Sequence, residues 1–221
     1  SLSAPIGERY GLQIDAGFSR SDGGGVVGDV DQYGIAAHFF TRDPDKGLLG
    51  IYAHYQNTDF GFIDIDNYRY GVEAEWYMHQ VSLEGFIGAD YVDSGMGDDT
   101  FVNLDFTAAY YLNDNVRLEA GVDHQFETTR GKVGFEAILP MFQNNTSVYA
   151  NASFGEDNTT VRAGLRIYFG EDDKALIDRH RQDDPRTRLL NLNGLCLGDL
   201  LDAYYEYHAG CSEGPSYRSK L

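Results

Sequence analysis

The chain has 221 residues and a formal net charge of −18, with 26 Gly, 16 Tyr and 13 Phe against one Trp and five Pro. That length bounds it to one domain plus an appendage, and the sign of its field makes nucleic acid and anionic surfaces poor partners. No run of about eighteen apolar residues occurs, which excludes a membrane-spanning helix.

Residues 8–22 alternate, with Leu12, Ile14, Ala16 and Phe18 on one face and Gln13, Asp15, Gly17 and Ser19 on the other. A period of two is the mark of a strand with one apolar face. After a Gly-rich loop, residues 33–42 set Tyr33, Ile35, Ala37 and Phe39 opposite His38. Asp43-Pro44-Asp45-Lys46-Gly47 is a tight turn by its Pro and Gly placement. Residues 48–59 and 67–78 continue the pattern, the second setting Tyr68, Tyr70, Val72, Ala74 and Trp76 against Arg69, Glu73 and Glu75.

Further strands are expected at 81–92 (Glu84 and Asp90 inward), 101–112 (Asp105 inward) and 116–127 (Arg117, Glu119 and Asp123 inward). Others follow at 132–142 (Glu136 inward), 146–155 and 160–169. In the last, TVRAGLRIYF, Val161, Ala163, Leu165, Ile167 and Phe169 oppose Arg162, Gly164, Arg166 and Tyr168. About ten strands, each near the nine to eleven residues that cross a bilayer on a tilt, predict an all-β chain folded as a closed antiparallel transmembrane β-barrel. Connections after even-numbered strands read short and the others mostly longer, as in bacterial barrels with periplasmic turns. A soluble sandwich would explain the strands but not that one-sidedness.

The closing strand resembles the carboxy-terminal assembly signal of Gram-negative outer-membrane barrels, carried by Arg162, Gly164, Ile167 and Phe169. The resemblance implies recognition by the barrel-assembly machinery. GLLGIYAHY (47–55), YGVEAEWY (70–77), VSLEGFIGADY (81–91) and IYFGEDDKALIDRHRQDDP (167–185) resemble a set of uncharacterised alphaproteobacterial outer-membrane β-barrel proteins. That likeness implies a fold, a place in the outer membrane and contact with its lipid and lipopolysaccharide. It implies no activity.

The inward set predicts a lumen charge network of Asp15, Arg69, Glu73, Glu75, Glu84, Asp90, Asp105, Arg117, Glu119, Asp123, Glu136, Arg162 and Arg166. In a narrow barrel these groups must be paired, hydrated or partly protonated, because unpaired burial is costly. A space-filling network is favoured over a proton or cation path. His38 and His54 read as satisfied lumen histidines. Asp123-His124 is the nearest echo of the Asp–His pair of omptin proteases, but neighbours in a strand face opposite ways, so no catalytic residues and no enzyme are expected. Asp29, Asp31, Asp64, Asp66, Asp93, Asp98 and Asp99 in the loops are oxygen donors of the kind Ca2+ or Mg2+ takes, bridging to lipopolysaccharide phosphates. They lack EF-hand spacing, so a solvated acidic rim is favoured and no cofactor or metal is assigned.

Residues 171–221 read as a periplasmic extension: a charged helix over 173–182, a break at Asp183-Asp184-Pro185, then an apolar stretch. Leu189, Leu190, Leu192, Leu195, Leu197, Leu200, Leu201 and Tyr204 are too many apolar groups to leave in water. They either pack under the barrel mouth or dock a periplasmic or outer-membrane protein partner through residues 187–221. Cys196 and Cys211 read as one disulfide in an oxidising compartment, with two buried thiols as the alternative. If the chain is exported, a signal peptide would already have been removed ahead of Ser1. The leading expectation is a non-enzymatic structural or partner-binding component. The alternative is a narrow, porin-like ion or small-solute channel, with a surface hydrolase a distant third.

Overall fold

Alternating residues assemble here into one antiparallel sheet of eleven strands in strict chain order. The computed structural model describes residues 1–189 apart from 8, 23–28, 62, 96, 143, 156–158, 169–173, 184 and 186–187. The strands are β1 (Leu2–Ile6), β2 (Tyr10–Asp22), β3 (Asp29–Asp43), β4 (Gly47–Asp59), β5 (Asp64–Met78) and β6 (Val81–Asp93). They continue as β7 (Asp98–Asn113), β8 (Val116–Gln125), β9 (Thr128–Ile138), β10 (Thr146–Phe154) and β11 (Thr159–Ile167), followed by one helix, α1 (Leu176–Gln182). Among the described residues the chain is therefore all-β apart from α1 and a single 3-10 turn, Pro140–Phe142. Among the described residues no helix is long and apolar enough to cross a membrane.

Three boundaries differ from expectation. An additional strand, β1, pairs with β2 from Leu2↔Ile14 to Ile6↔Tyr10. It carries Pro5, which an edge strand tolerates because a missing N–H there breaks no ladder. The strand expected to run to residue 142 stops at Ile138, where Pro140 withdraws a donor and starts the 3-10 turn. β8 and β9 are joined by only Phe126 and Glu127, at φ of 50° and 61°. Two positive φ values in a two-residue hairpin match the right-handed twist of its strands. The one-sided loop lengths are thus weaker than expected, since this connection is short and residues 139–145 on the opposite end form a longer one.

β1 and β11 stand at the two ends of the order, and no ladder joins them among the described residues. The sheet is open along that seam but strongly curled. Its convex face is apolar and exposed: Ile35, Ile51, Val72, Trp76, Ile87, Val102, Leu118 and Leu165 all lie uncovered. Its concave face is polar and buried, with Gln13, His38, Asp90 and Arg130 each 0 % exposed. This inverts the usual arrangement of a water-soluble domain. Inside one end, near the connections 60–63 and 126–127, an apolar lid of Val30, Phe60, Ile65, Val92 and Phe126 packs together.

The chain then enters its own concavity. Below the sheet, α1 sits on the turn between β7 and β8: the Leu176 N–H donates to Asn115 Oδ1 at 3.2 Å and the Ile177 N–H to the Asp114 carbonyl at 3.0 Å. Those bonds satisfy amides that a helix start leaves without internal partners. Leu176 is fully buried and Arg179, His180 and Arg181 occupy the last turn, where positive charge suits the helix dipole. Beyond α1, the Pro185 carbonyl accepts a bond from Gln13 Nε2 at 3.0 Å. Leu189 packs on the cluster of Ala36, Tyr52 and Phe86. The described part of the C-terminal segment is therefore a strap running up inside the sheet.

Candidate functional site in the concave face

The site is built where alternate residues of nine strands, β2, β3 and β5 to β11, converge on the strap. His38 on β3 is held from both sides, with Nδ1 2.8 Å from Glu73 Oε1 on β5 and Nε2 3.2 Å from Asp15 Oδ2 on β2. Gln13 Nε2 donates to Asp15 Oδ1 at 2.9 Å. One strand over, Arg69 donates to Asp90 through Nε at 2.6 Å and Nη2 at 3.2 Å, a fork-to-fork pair, and Asn103 Nδ2 adds a third bond at 2.7 Å. Every group in this second cluster is almost fully buried. A buried ion pair persists only with such saturation of its hydrogen bonds.

Towards the strap, Arg117 Nη2 lies 2.6 Å from Glu84 Oε1 and 2.9 Å from Glu119 Oε2. Arg130 pairs with Asp123 at 3.1 Å, and Lys132 with Asp105. Glu136 collects Arg166 at 2.6 Å, Ser147 Oγ at 2.5 Å and the Tyr168 hydroxyl at 2.6 Å. Glu75 is half-buried and accepts the Tyr77 hydroxyl at 2.6 Å.

The helix completes this network. His180 Nδ1 accepts from the Tyr111 hydroxyl at 3.0 Å and from Arg117 Nη1 at 3.1 Å, while its Nε2 is 3.6 Å from Glu136 Oε2. Burial, followed in part by Arg117 and Arg166, holds the His180 ring below the ordinary histidine value despite Glu136. Two donors aimed at Nδ1 agree, because only an unprotonated nitrogen accepts them. Arg181 Nη2 reaches the Val81 carbonyl at 3.0 Å and Ser82 Oγ at 3.2 Å.

Twelve of the thirteen expected network residues thus lie inside. Arg162 does not: on edge strand β11 it is exposed, because no further strand curls over it among the described residues. Of the assembly-signal positions, Gly164 and Ile167 sit on β11 with Arg162, and Phe169 lies outside the described residues. So do Cys196, Cys211 and the apolar residues Leu190, Leu192, Leu195, Leu197, Leu200, Leu201 and Tyr204. Asp123 and His124 face opposite ways, the first to Arg130 and the second to Thr129 Oγ1 at 2.8 Å.

The aspartates expected in loops lie instead at strand ends, because the ladders run further than the alternation shows: Asp29 and Asp31 on β3, Asp64 and Asp66 on β5, Asp93 on β6, Asp98 and Asp99 on β7. Several serve the backbone or a neighbour. Asp66 accepts from Tyr55 and Asn57 at 2.8 and 2.9 Å, Asp31 pairs with Arg20, and Asp93 caps the Gly95 N–H at 2.8 Å. Among the described residues no group of three His, Cys, Asp or Glu side chains is arranged to hold a metal ion.

Gln13, Asn103, Arg130, Lys132, Ser147, Tyr168, His180 and Arg188 belong to the site but not to the expected network. Arg130 and Lys132 were within reach, since they sit two apart in phase with Glu136. Comparison with family models, with curated proteins and with solved structures gives no match.

Proposed function

We propose that this chain is a bacterial outer-membrane β-barrel, closed in the membrane and stoppered by its own C-terminal strap, that acts as a non-enzymatic structural or partner-binding component. One observation carries the reading: charged side chains are buried on the concave face while Ile, Leu, Val and Trp are exposed across the convex one. Water penalises such a surface and a hydrocarbon layer favours it. The long strands β2 to β7 and the resemblance of residues 167–185 to alphaproteobacterial barrel proteins support the same placement. Closure would bring β1 and β11 together and remove the two free edges, which lipid cannot satisfy.

Partner contact is assigned to residues 190–221, whose sequence carries more leucines than water tolerates exposed. Deleting 190–221 and recovering the chain from native membranes tests this. Loss of a co-purifying protein is expected, and an unchanged set of companions contradicts it. The charged interior favours a second reading, a narrow channel gated by the strap. Planar-bilayer recording separates the two: the stoppered reading predicts no steady current from the full chain.

A further inference from the structure

Arg188, on the strap beyond α1, stands between two strands. Its Nε is 3.6 Å from Glu73 Oε2 on β5, and its Nη1 is 3.5 Å from Asp105 Oδ1 on β7. Its guanidinium carbon lies 5.0 Å from the centre of the Phe86 ring on β6. All three receiving groups are set by the sheet and not by the strap. Glu73 turns its other oxygen to His38, and Asp105 turns its other oxygen to Lys132. Phe86 lies over Gly71 and Gly88, where any added Cβ would come within 2.6 Å of its ring, and meets Tyr52 edge-on at 5.8 Å.

The sheet therefore presents two carboxylate oxygens from strands flanking an aromatic face. A planar cation with N–H groups on several edges fits that pattern, whereas a point-charge ammonium matches only one part of it. Arg188 fills it incompletely. Both of its carboxylate contacts exceed hydrogen-bond length, and its buried Nε finds no acceptor among the described residues. Displacing such an occupant forfeits less than displacing a fully bonded one.

We propose that Glu73, Asp105 and Phe86 form a binding site for a guanidinium-bearing ligand, and that Arg188 occupies it as a tethered competitor. The site goes beyond the membrane reading, because the concave face is the same whatever covers the convex one.

Titration of the purified full-length chain with L-argininamide, and with L-lysinamide as comparator, tests it. Arg188→Ala is expected to bind argininamide about tenfold more tightly than the wild type, and lysinamide no better than before. Adding Glu73→Gln or Asp105→Asn to Arg188→Ala is expected to reverse the gain. Equal affinity of wild type and Arg188→Ala, or a gain that survives both carboxamide changes, overturns the proposal. If Arg188→Ala does not fold, hydrogen exchange on the wild type decides. Excess argininamide must speed exchange in residues 174–189 more than lysinamide does, and unchanged exchange overturns the site. Neither result depends on whether the chain proves to be a membrane barrel.

Discussion

Arg179 on α1 is bonded to Asn145 in the β9–β10 connection, Nη2 to Oδ1 at 2.7 Å, and the same nitrogen reaches the Asn144 carbonyl at 3.3 Å. The side chain is buried, its Nε donates to the Lys174 carbonyl at 3.2 Å, and its guanidinium lies 4.9 Å from the Tyr168 ring centre. Arg179 thus ties the helix to the β9–β10 end of the sheet, alongside the contacts of Leu176, His180 and Arg181. Arg179→Ala is expected to weaken docking by about 1.5–3 kcal/mol, the usual range for hydrogen bonds to a charged group. Faster hydrogen exchange across 174–189, with the strand amides little changed, is the readout.

Docking of the same helix should depend on pH. Around His180 stand Tyr111, Arg117, Glu136, Arg166 and Tyr168, and the balance holds its folded value below the ordinary histidine value. The undocked ring therefore binds a proton at a higher pH than the docked one. Stability from this residue is fully present above about pH 6.5 and is lost as pH falls below it towards the depressed folded value. Exchange protection of 174–189 measured from pH 8 to pH 5 should fall with acidity, and His180→Gln should flatten that slope.

The interior pairs should be costly to break from one side. Arg69 and Asp90 are 4 % and 0 % exposed, so Arg69→Ala strands a buried carboxylate. A loss of about 3–5 kcal/mol is expected from leaving one member of a buried pair. Arg69→Met with Asp90→Leu removes both charges and should lose much less. Urea unfolding of the two variants in detergent compares them.

Which parts of this were legible beforehand follows from the range of the forces involved. Strand alternation is local, so the inward placement of Glu73, Asp90 and Arg117 could be read two residues at a time. Leu2–Ile6 escaped because Pro5 and five residues give alternation no room. The Phe126–Glu127 hairpin escaped because neither residue is the Gly or Asn that such turns favour. The short charged helix was visible in its composition, but its site was not. His180 meets Tyr111 and Arg117, and Arg188 meets Glu73 and Asp105, only because the chain turns back into the sheet, which no periodicity records.

The convex face offers a sign test. Val72 is exposed in the middle stretch of β5 among Tyr70, Ile51 and Ile87. If lipid covers it, Val72→Lys should cost about 2–4 kcal/mol, the range for a lysine near the bilayer midplane. Facing water, the same change should be neutral or improve solubility. Folding into lipid vesicles followed by heat-modifiable gel migration distinguishes these outcomes.

The most direct measurement uses the only tryptophan in the chain, Trp76, which is 59 % exposed on the convex face. The full chain is folded into vesicles whose acyl chains carry bromine, and its emission is compared with that in unlabelled lipid. A membrane-facing indole predicts blue-shifted emission that the brominated chains quench strongly. Water-like emission, unaffected by bromine, from a chain that stays in solution without detergent would contradict the account.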